Sequence, residues 1–542
     1  MNTSPPVHPY QPQISFDGGD LDCGNGLLLL IRKNIDPLPA GGLMEIRSRE
    51  ISVREDLPAW CRMTGNDLVH TMGIDNELRF LVCKGSFVPP ENRAASQPGP
   101  SLTGLSPEPD QKLNPAESTA SSQARDHEKN SMPVTQPIRA IEIPKHLPAP
   151  IPGILIPPLA VMGIGSWPRP RWMLSAIHEH LEGRLDEREF QSTADDAVRL
   201  IWQHQQAAGV DVFTDGEQRR DSYSSFVGGR LDNCQLIPLI DLLPYVDDPE
   251  KFEREMRALD IPAKEVRHPA VFGPLGRSKP LAVHEYEFLA TLTDQPIKVA
   301  LPGPYLLTRT MWMECISDRA YDSRADLATD IVRVLREELH ALLHAGVTLV
   351  QFDEPVLSEV AFARPAGGRS FMCGALGERL PVAEELAFAA DLFRQLTADL
   401  PRERIGMHIC RGNWSKDEAV ALSGSYSPLI DFLNNLPVGN LFLELCTPRA
   451  GEMEILADLP DGIRIGVGVV NQKHDTIETE SEIRAKVLRA MELFGEHRVL
   501  LTPDCGFATF ADNAIASAQV AAAKLAAMAN VRREILGYSP LR

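Results

Sequence analysis

The sequence predicts an α/β protein whose larger part is a (β/α)8 barrel. Two observations lead to this prediction: short apolar runs alternate with helical patterns, and polar residues follow the end of almost every run. The eight runs lie at residues 159–163, 210–213, 297–301, 347–352, 405–409, 441–445, 463–467 and 499–501. Eight strand–helix repeats are typical of such a barrel. A doubly wound open sheet is the alternative, because a count of strands does not show closure.

The segments between the runs carry the spacing of amphipathic helices. In one of them, apolar residues recur every three or four positions from Leu327 to Leu342. In another, the same spacing runs from Ile483 to Phe494. This period places the apolar side chains on one helical face, which would pack against the sheet.

A change in composition divides the chain. Residues 89–157 are rich in Pro, Ser, Ala and Gln and nearly lack aromatic residues, which predicts a disordered linker. The linker separates a small unit at 14–88 from the barrel unit at 158–542. In the small unit we expect an α+β fold in the order β-α-β-α-β, with Asp56 capping the second helix.

Composition and charge exclude several classes of function. The 542 residues include 54 Lys+Arg and 74 Asp+Glu, a net charge of −20, which argues against nucleic acid or an anionic membrane as a partner. There is no apolar run of about 18 residues and no secretion signal at the N-terminus. The nine cysteines are scattered, which predicts free thiols in a cytoplasmic protein.

Residues that bind metals cluster at the predicted strand ends. His408 and Cys410 are two positions apart, so on a strand they would face the same side. Cys505 follows the last run and Glu444 follows the sixth, and tetrahedral Zn²⁺ takes these ligand types. Two thiolates and a carboxylate make an electron-rich zinc, which suits binding a substrate thiol as a thiolate better than activating water. We therefore predict thiol activation for alkyl transfer.

The same barrel end carries groups for an amino-acid substrate. Glu217, Asp353 and Asp504 are placed to bind an ammonium group. The backbone N–H groups at Gly165 and Ser166 are placed to bind a carboxylate. The predicted partners are therefore a small-molecule thiol and a methyl or alkyl donor.

The larger unit resembles the C-terminal catalytic barrel of cobalamin-independent methionine synthases, within the superfamily that also includes uroporphyrinogen decarboxylase. It is most similar to the shorter core proteins that lack the N-terminal folate-recognition barrel. The resemblance covers about 158–515. It rests on short motifs at residues 164–168, 214–221, 352–355, 407–410, 443–445, 466–470 and 503–507.

The resemblance implies an S-methyltransferase that methylates a homocysteine-like thiol from a methylated folate in methionine biosynthesis. The zinc ligands that it implies are His408, Cys410, Glu444 and Cys505. Ser166 would bind the substrate carboxylate, and Glu217 and Asp353 its amino group. Glu359 would lie near the methyl donor.

The chain departs from the family at one catalytic position. Where a methionine synthase has a histidine implicated in proton delivery, this chain has Lys473 followed by His474. Both are therefore candidate catalytic residues. The departure keeps open an alkyl- or hydroxyalkyl-thiol transferase or lyase similar to epoxyalkane–coenzyme M transferase. The predicted ligand set argues against a metal-free barrel of the uroporphyrinogen decarboxylase type.

The small unit is similar to TusA/SirA sulfur-carrier proteins. The similarity runs through residues 21–26, 30–33 and 56–61. It implies that Cys23 carries a persulfide, although Cys23-Gly24-Asn25-Gly26 replaces the family's Cys-Pro-x-Pro. A sulfur-relay protein that acts with a sulfur-transfer partner is therefore a further alternative function.

Overall fold

The computed structural model describes residues 8–19, 27–35, 38–50, 53–64, 66–74, 77–89, 155–238, 267–312, 317, 320–362 and 380–537. The chain divides into two compact units, Met1–Pro133 and Val134–Arg542. Residues 90–154, most of the predicted linker, lie outside the described residues, as does Cys23. The linker and the persulfide site therefore stay predictions.

The N-terminal unit contains a four-stranded sheet and two helices. Its elements are β1 (Ile14–Asp17), α1 (Leu28–Ile35), β2 (Leu43–Ser48), α2 (Val53–Thr64), β3 (Asp67–Ile74) and β4 (Glu77–Cys83). The strand order is β1-β2-β4-β3, with β1 parallel to β2 and the other pairs antiparallel. Leu27, Ile31, Leu57 and Trp60 from the helical segments are buried in one apolar core with residues of the sheet.

Two features of the N-terminal unit differ from the prediction. Helix α2 begins at Val53, so the prediction that Asp56 caps it is wrong. The helix begins earlier because its buried face starts at Val53 and continues through Leu57. Strand β3 adds a fourth strand, and its polar and glycine residues hide it from a search for apolar runs.

The larger unit is an α/β fold built on a parallel sheet. Its parallel strands are β7 (Lys298–Pro302), β8 (Leu349–Asp353), β9 (Ile405–Ile409), β10 (Asn440–Leu443), β11 (Arg464–Val470) and β12 (Val499–Pro503). Each pairs in parallel with the next strand in the chain. Across neighbouring strands, Asp353 is paired with His408, and His408 with Phe442.

Two further extended segments join the outer strands of this sheet. Val161 bridges in parallel to Leu501 of β12, Met162 bridges to Val212, and Phe213 bridges to Ile297 beside β7. These segments are the first and second predicted runs. All eight predicted runs therefore take part in parallel pairing.

Helices connect most of the parallel strands. They are α3 (Arg171–Leu181), α4 (Glu187–Ala208), α5 (Val283–Ala290), α6 (Pro304–Met311), α7 (Arg324–Ala345), α8 (Val356–Phe362), α9 (Val382–Thr397), α10 (Ile430–Asn434), α11 (Glu480–Phe494) and α12 (Ala518–Ile535). Helix α7 contains the first predicted apolar stripe, which is buried. Ser323 caps its start by accepting from the Asp326 N–H, and Gly346 ends it in a left-handed conformation.

An antiparallel hairpin interrupts the strand–helix alternation. It consists of β5 (Asp232–Pro238) and β6 (Arg267–Gly276). Short 3₁₀ helices lie at Ser225–Gly229, Arg402–Arg404, Glu418–Val420, Ser427–Leu429, Pro448–Ala450, Met453–Leu456 and Glu496–Arg498. Within the described part of the chain, no helix combines the length and apolarity needed to cross a membrane.

Candidate metal centre and substrate pocket

Three side chains that bind metals converge where the parallel strands end. His408 lies in β9, Cys410 directly follows it, and Cys505 lies two residues after β12. Their candidate ligand atoms all lie within 4.8 Å of one another, and all three residues are buried. His408 Nε2 is 3.4 Å from Cys505 Sγ. Across the described ranges, this is the single group of at least three such side chains that is close enough to hold a metal ion.

The backbone fixes which nitrogen of His408 faces the thiols. Nδ1 lies 3.1 Å from the carbonyl oxygen of Phe442. A carbonyl only accepts hydrogen bonds, so Nδ1 carries the proton and Nε2 keeps its lone pair for the cluster. Metal-binding histidines are usually oriented by such a bond from the second nitrogen.

The two thiols share a hydrogen bond that shifts their pKa values in opposite directions. The bond from Cys505, together with His408, holds the pKa of Cys410 well below its usual value. The same interaction and burial raise the pKa of Cys505 well above its usual value. Two buried cysteine sulfurs and an imidazole nitrogen within 4.8 Å of one another are donors that zinc binds, so these residues fit that ion.

Glu444, the fourth predicted ligand, lies next to this group and is already paired. It follows β10 and is buried. Its Oε1 accepts from the Arg411 N–H at 2.9 Å, and its Oε2 accepts from Arg449 Nη2 at 3.0 Å. Burial raises the pKa of Glu444, whereas Arg449 acts to lower it. The structure therefore brings three of the four predicted ligands together. The fourth, Glu444, accepts hydrogen bonds from Arg411 and Arg449.

A pocket opens onto the three converging side chains. Its empty volume is about 490 Å³ out to the mouth. It is lined by Ile164, Ser166, Glu217, Tyr223, Asp353, Pro355, His408, Cys410, Asn413, Trp414, Cys505, Gly506, Thr509 and Phe510. The pocket thus combines the metal cluster with three of the predicted substrate-binding residues, Ser166, Glu217 and Asp353.

Glu217 is a buried carboxylate that the backbone holds in an unusual conformation. Its φ is 55°, and its N–H donates to Asp215 Oδ1 at 3.0 Å. A β-carbon on Gly165 would lie 2.2 Å from Glu217 Oε1, so any larger residue there would displace the Glu217 carboxyl group from its present position. Glu217 Oε2 is buried and has no hydrogen-bond partner among the described residues. Burial raises the pKa of Glu217 to about 7, although Arg220 acts in the opposite direction.

Asp353 ends β8 on the same side of the pocket. Its Oδ1 accepts from Gln351 Nε2 at 2.7 Å. Burial raises the pKa of Asp353, whereas His408 acts to lower it. Two buried carboxylates in one pocket provide the negative charge that an ammonium group would neutralise.

Ser166 belongs to the loop contacts around Cys505. Its Oγ accepts from the Ala508 N–H at 3.3 Å, and its carbonyl accepts from the Phe507 N–H at 3.1 Å. These bonds fix Ser166 beside the loop that carries Cys505. Its hydroxyl hydrogen is available for a further acceptor in the pocket.

Four other sequence candidates do not line this pocket. Glu359 lies in α8 and is buried. Lys473 is buried, and its Nζ donates to the Ser415 carbonyl at 2.5 Å. The His474 side chain is 55% exposed, with Nε2 3.7 Å from Glu418 Oε1. Asp504 Oδ1 accepts from the N–H groups of Leu445 and Cys446 at 2.8 and 2.9 Å.

The pocket also has polar and aromatic walls that were not predicted from the sequence. Asn413 Nδ2 donates to the Gly506 carbonyl at 2.6 Å and to Thr509 Oγ1 at 2.8 Å, which ties together the loops that carry Cys410 and Cys505. Tyr223 and Phe510 stack edge to face and form part of the wall. Asn413 could have been found from its position directly after the predicted ligand strand. Tyr223 and Phe510 lie in distant loops and carry no comparable signal.

The family model described as the catalytic domain of cobalamin-independent synthases matches residues 255–531, just over half of the chain. The chain belongs to this family. The match includes β7–β12 and all three converging metal-binding side chains, and it confirms the family resemblance.

Two proteins that are similar to this chain are named methionine synthases. A methionine synthase of Saccharolobus solfataricus is 25% identical over 392 residues, which cover 71% of this chain and 98% of that protein. A methionine synthase of Sulfurisphaera tokodaii is 27% identical over 356 residues, covering 65% of this chain and 86% of that protein.

A solved structure supports the fold. A B12-independent methionine synthase from Shewanella sp. W3-18-1, in complex with selenomethionine, superposes with a TM-score of 0.53. It is 24% identical, and the match covers 70% of this chain and 99% of that one. This likeness is evidence for the fold of the larger unit.

Proposed function

We propose that the chain is a zinc-dependent S-methyltransferase that methylates homocysteine from a methylated folate, as a cobalamin-independent methionine synthase does. Family membership and the names of the relatives support this reaction. The observation that carries the proposal is the pocket itself. It joins the imidazole and two thiols of the metal cluster to the buried carboxylates of Glu217 and Asp353.

In this proposal, His408, Cys410 and Cys505 hold the zinc, and Glu444 is the fourth ligand. When bound, zinc lowers the pKa of a substrate thiol and keeps it as a nucleophilic thiolate at neutral pH. The thiolate forms an S–CH₃ bond as the N–CH₃ bond of the donor breaks, and the donor nitrogen takes up a proton. Each Glu444 oxygen accepts one hydrogen bond, from Arg411 or Arg449, and keeps a second lone pair with which it would bind the metal.

The remaining pocket residues bind and orient the amino acid. Glu217 and Asp353 accept hydrogen bonds from the substrate ammonium, which supplies a donor for the unpartnered Glu217 Oε2. Ser166 donates to the substrate carboxylate. Glu359 would act from α8, near the methyl donor. Neither Lys473 nor His474 is among the described residues that line the pocket, so the proton-delivery role that the resemblance implies for them stays a prediction.

We also propose that the larger unit is a closed (β/α)8 barrel. The parallel bridges from Leu501 through Val161 and Val212 to Ile297 support closure. The strands from β7 to β12 follow one another without a reversal of order. A doubly wound sheet has such a reversal, so the order favours the barrel.

The N-terminal unit is proposed to have the TusA/SirA fold. Its compact mixed sheet and two helices support that assignment. Cys23 lies outside the described residues, so its role as a sulfur carrier is a prediction that a persulfide assay would test.

The proposed reaction can be tested on the purified full chain. Zinc is measured per chain, and thiol methylation is assayed with homocysteine and a methylated folate, and separately with coenzyme M and an epoxide. We expect about one zinc per chain and turnover with the first pair. Cys410→Ser should lose both zinc and activity.

Cys446→Ser is the matched control for this test. Cys446 Sγ accepts from Lys486 Nζ at 3.0 Å and is not one of the converging side chains. This variant should keep its zinc and its activity. A wild type that binds no zinc, or that accepts only the epoxide, would contradict the proposed function.

A further inference from the structure

Three interior side chains lie beneath the pocket, one layer below the metal cluster. Lys298 in β7 is buried, with its Nζ 4.4 Å from the centre of the Phe442 ring. The same Nζ donates to Gln351 Oε1 at 2.8 Å. Gln351 is two residues before Asp353 in β8, so both side chains point to the same face of the strand.

Glycines on both neighbouring strands make room for the Phe442 ring. A β-carbon on Gly406 in β9 would lie 2.8 Å from the ring, and one on Gly466 in β11 would lie 2.3 Å from it. The ring therefore spans the sheet interior and offers its face to the lysine, an arrangement that stabilises a cation. The carbonyl of this same residue orients His408.

The hydrogen bonds in this layer have a fixed direction. An ammonium group only donates, so the Gln351 amide must turn its oxygen toward Lys298. Its NH₂ group then faces Asp353 and donates to Oδ1 at 2.7 Å. Oδ1 of Asp353 is thereby required to accept, which fixes the orientation of this carboxyl group toward the pocket.

Charge links Lys298 to the two pocket carboxylates, Asp353 and Glu217. Burial lowers the pKa of Lys298 to about 7, whereas Asp353 and Glu217 act to raise it. The lysine and the two pocket carboxylates therefore stabilise each other's charged forms.

We propose that Lys298, through Gln351, is a positioning residue that makes Asp353 an acceptor for the substrate ammonium and so selects thiols that carry an α-amino group. This inference rests on the proposed function, because it assigns the substrate's amino group to Asp353. Lys298 does not line the pocket, so it acts through Gln351.

Without the Lys298 ammonium group, the direction of the hydrogen bonds from Lys298 through Gln351 to Asp353 is no longer fixed. In Lys298→Met, the Gln351 amide is free to turn its oxygen toward Asp353, so its NH₂ group no longer holds the Asp353 carboxyl group in one orientation. In Gln351→Glu, the new carboxylate keeps a bond to Lys298 but no longer donates to Asp353. Both variants should lose roughly 10- to 100-fold in affinity for the ammonium group, as expected for a charged hydrogen bond.

The test is a binding measurement on the zinc-loaded full chain. L-methionine and 4-(methylsulfanyl)butanoate, which is methionine without its amino group, are titrated by calorimetry. The wild type should prefer methionine. In Lys298→Met and Gln351→Glu, this preference should fall roughly 10- to 100-fold, while affinity for the butanoate stays within about threefold.

Lys524→Met is the matched control. Lys524 is also a buried lysine, but it donates to the Thr476 carbonyl and to Glu478, away from the pocket. This variant should keep the preference. Circular dichroism and zinc content establish that each variant is folded and loaded.

The outcomes separate the inference from the proposed function. Variants that keep the full preference for methionine would overturn the inference even if the wild type turns over homocysteine. A wild type that binds both ligands equally would overturn it as well. Turnover of the wild type is measured in a separate assay. Failure of the proposed reaction is therefore detected independently of the Lys298 and Gln351 variants.

Discussion

The two sides of the pocket differ in how their polar groups are satisfied. On the metal side, His408 is bonded through Nδ1 to the Phe442 carbonyl, and the thiols of Cys410 and Cys505 interact with each other and with the imidazole. On the carboxylate side, Glu217 Oε2 is buried with no hydrogen-bond partner in the described part of the chain. The metal side is organised before a ligand arrives, whereas the carboxylate side holds charge that a ligand must neutralise.

This difference separates stability from function. A preorganised metal side should tolerate few changes, because each donor is held by another group. On the carboxylate side, the buried charge of Glu217 should destabilise the free protein. Its interaction should become favourable only when the substrate ammonium is bound. Substitutions on the two sides should therefore change stability in opposite directions.

The largest expected effect is that of Glu217→Gln. Because the folded-state pKa is about 7 instead of the usual 4.5, the folded protein binds more protons than the unfolded chain between these values. Stability therefore falls as pH rises through this window. Above pH 7, removing the charge should stabilise the fold by up to about 3 kcal/mol. Affinity for the substrate should fall by roughly 10- to 100-fold.

Urea unfolding at pH 8 and pH 5 measures this effect. The gain in the free energy of unfolding should be about 3 kcal/mol at pH 8 and fall below about 1 kcal/mol at pH 5. Glu452→Gln, a change at an exposed glutamate, is the control and should stay within about 0.5 kcal/mol. Equal or lower stability of Glu217→Gln at pH 8 would contradict the contrast between the two sides.

A smaller effect, with the opposite sign for stability, is expected on the metal side for Asn413→Ala. The substitution leaves the Gly506 carbonyl and Gln472 Nε2 without their bonds to Asn413. Stability should fall by about 1–3 kcal/mol. Zinc affinity should fall by roughly 10-fold, because the loops of Cys410 and Cys505 lose a shared tie.

Competition with a zinc chelator measures the affinity in this case. Asn435→Ala is the control, because Asn435 is exposed and donates within its own helical segment, to the Asp431 carbonyl. If Asn413→Ala binds zinc as tightly as the wild type, the metal side does not depend on its supporting bonds.

The smallest effect is expected for His474→Gln, because His474 lies on neither side of the pocket. The side chain is more than half exposed and reaches only Glu418 at 3.7 Å. Turnover should stay within about twofold of the wild type across pH 6–9. A large fall in kcat with unchanged zinc content would show that this loop enters the pocket during the reaction.

The sequence was sufficient to predict the parallel strands, because buried parallel strands appear as short apolar runs. It was also sufficient to predict that His408 and Cys410 share a side, since that follows from the two-residue period of a strand. Cys505 could be added because the carboxyl ends of parallel strands meet at one edge.

Other features depend on contacts that spacing does not encode. The pairing of Glu444 with Arg449 depends on how the chain turns after β10. The wall formed by Tyr223 and Phe510 joins loops almost 300 residues apart. The side chains of Lys298, Gln351 and Phe442 beneath the pocket could be predicted only in part. Gln351 shares a face with Asp353 by strand period, but its bond to Lys298 requires the register of β7 and β8.

X-ray absorption at the zinc edge tests the central claim most directly. It is recorded on the zinc-loaded chain before and after addition of homocysteine. Binding of the substrate thiol to zinc predicts two sulfur scatterers at about 2.3 Å without homocysteine and three with it. Zinc surrounded only by nitrogen and oxygen, or a sulfur count that homocysteine does not change, would contradict the proposal that this pocket activates a thiol.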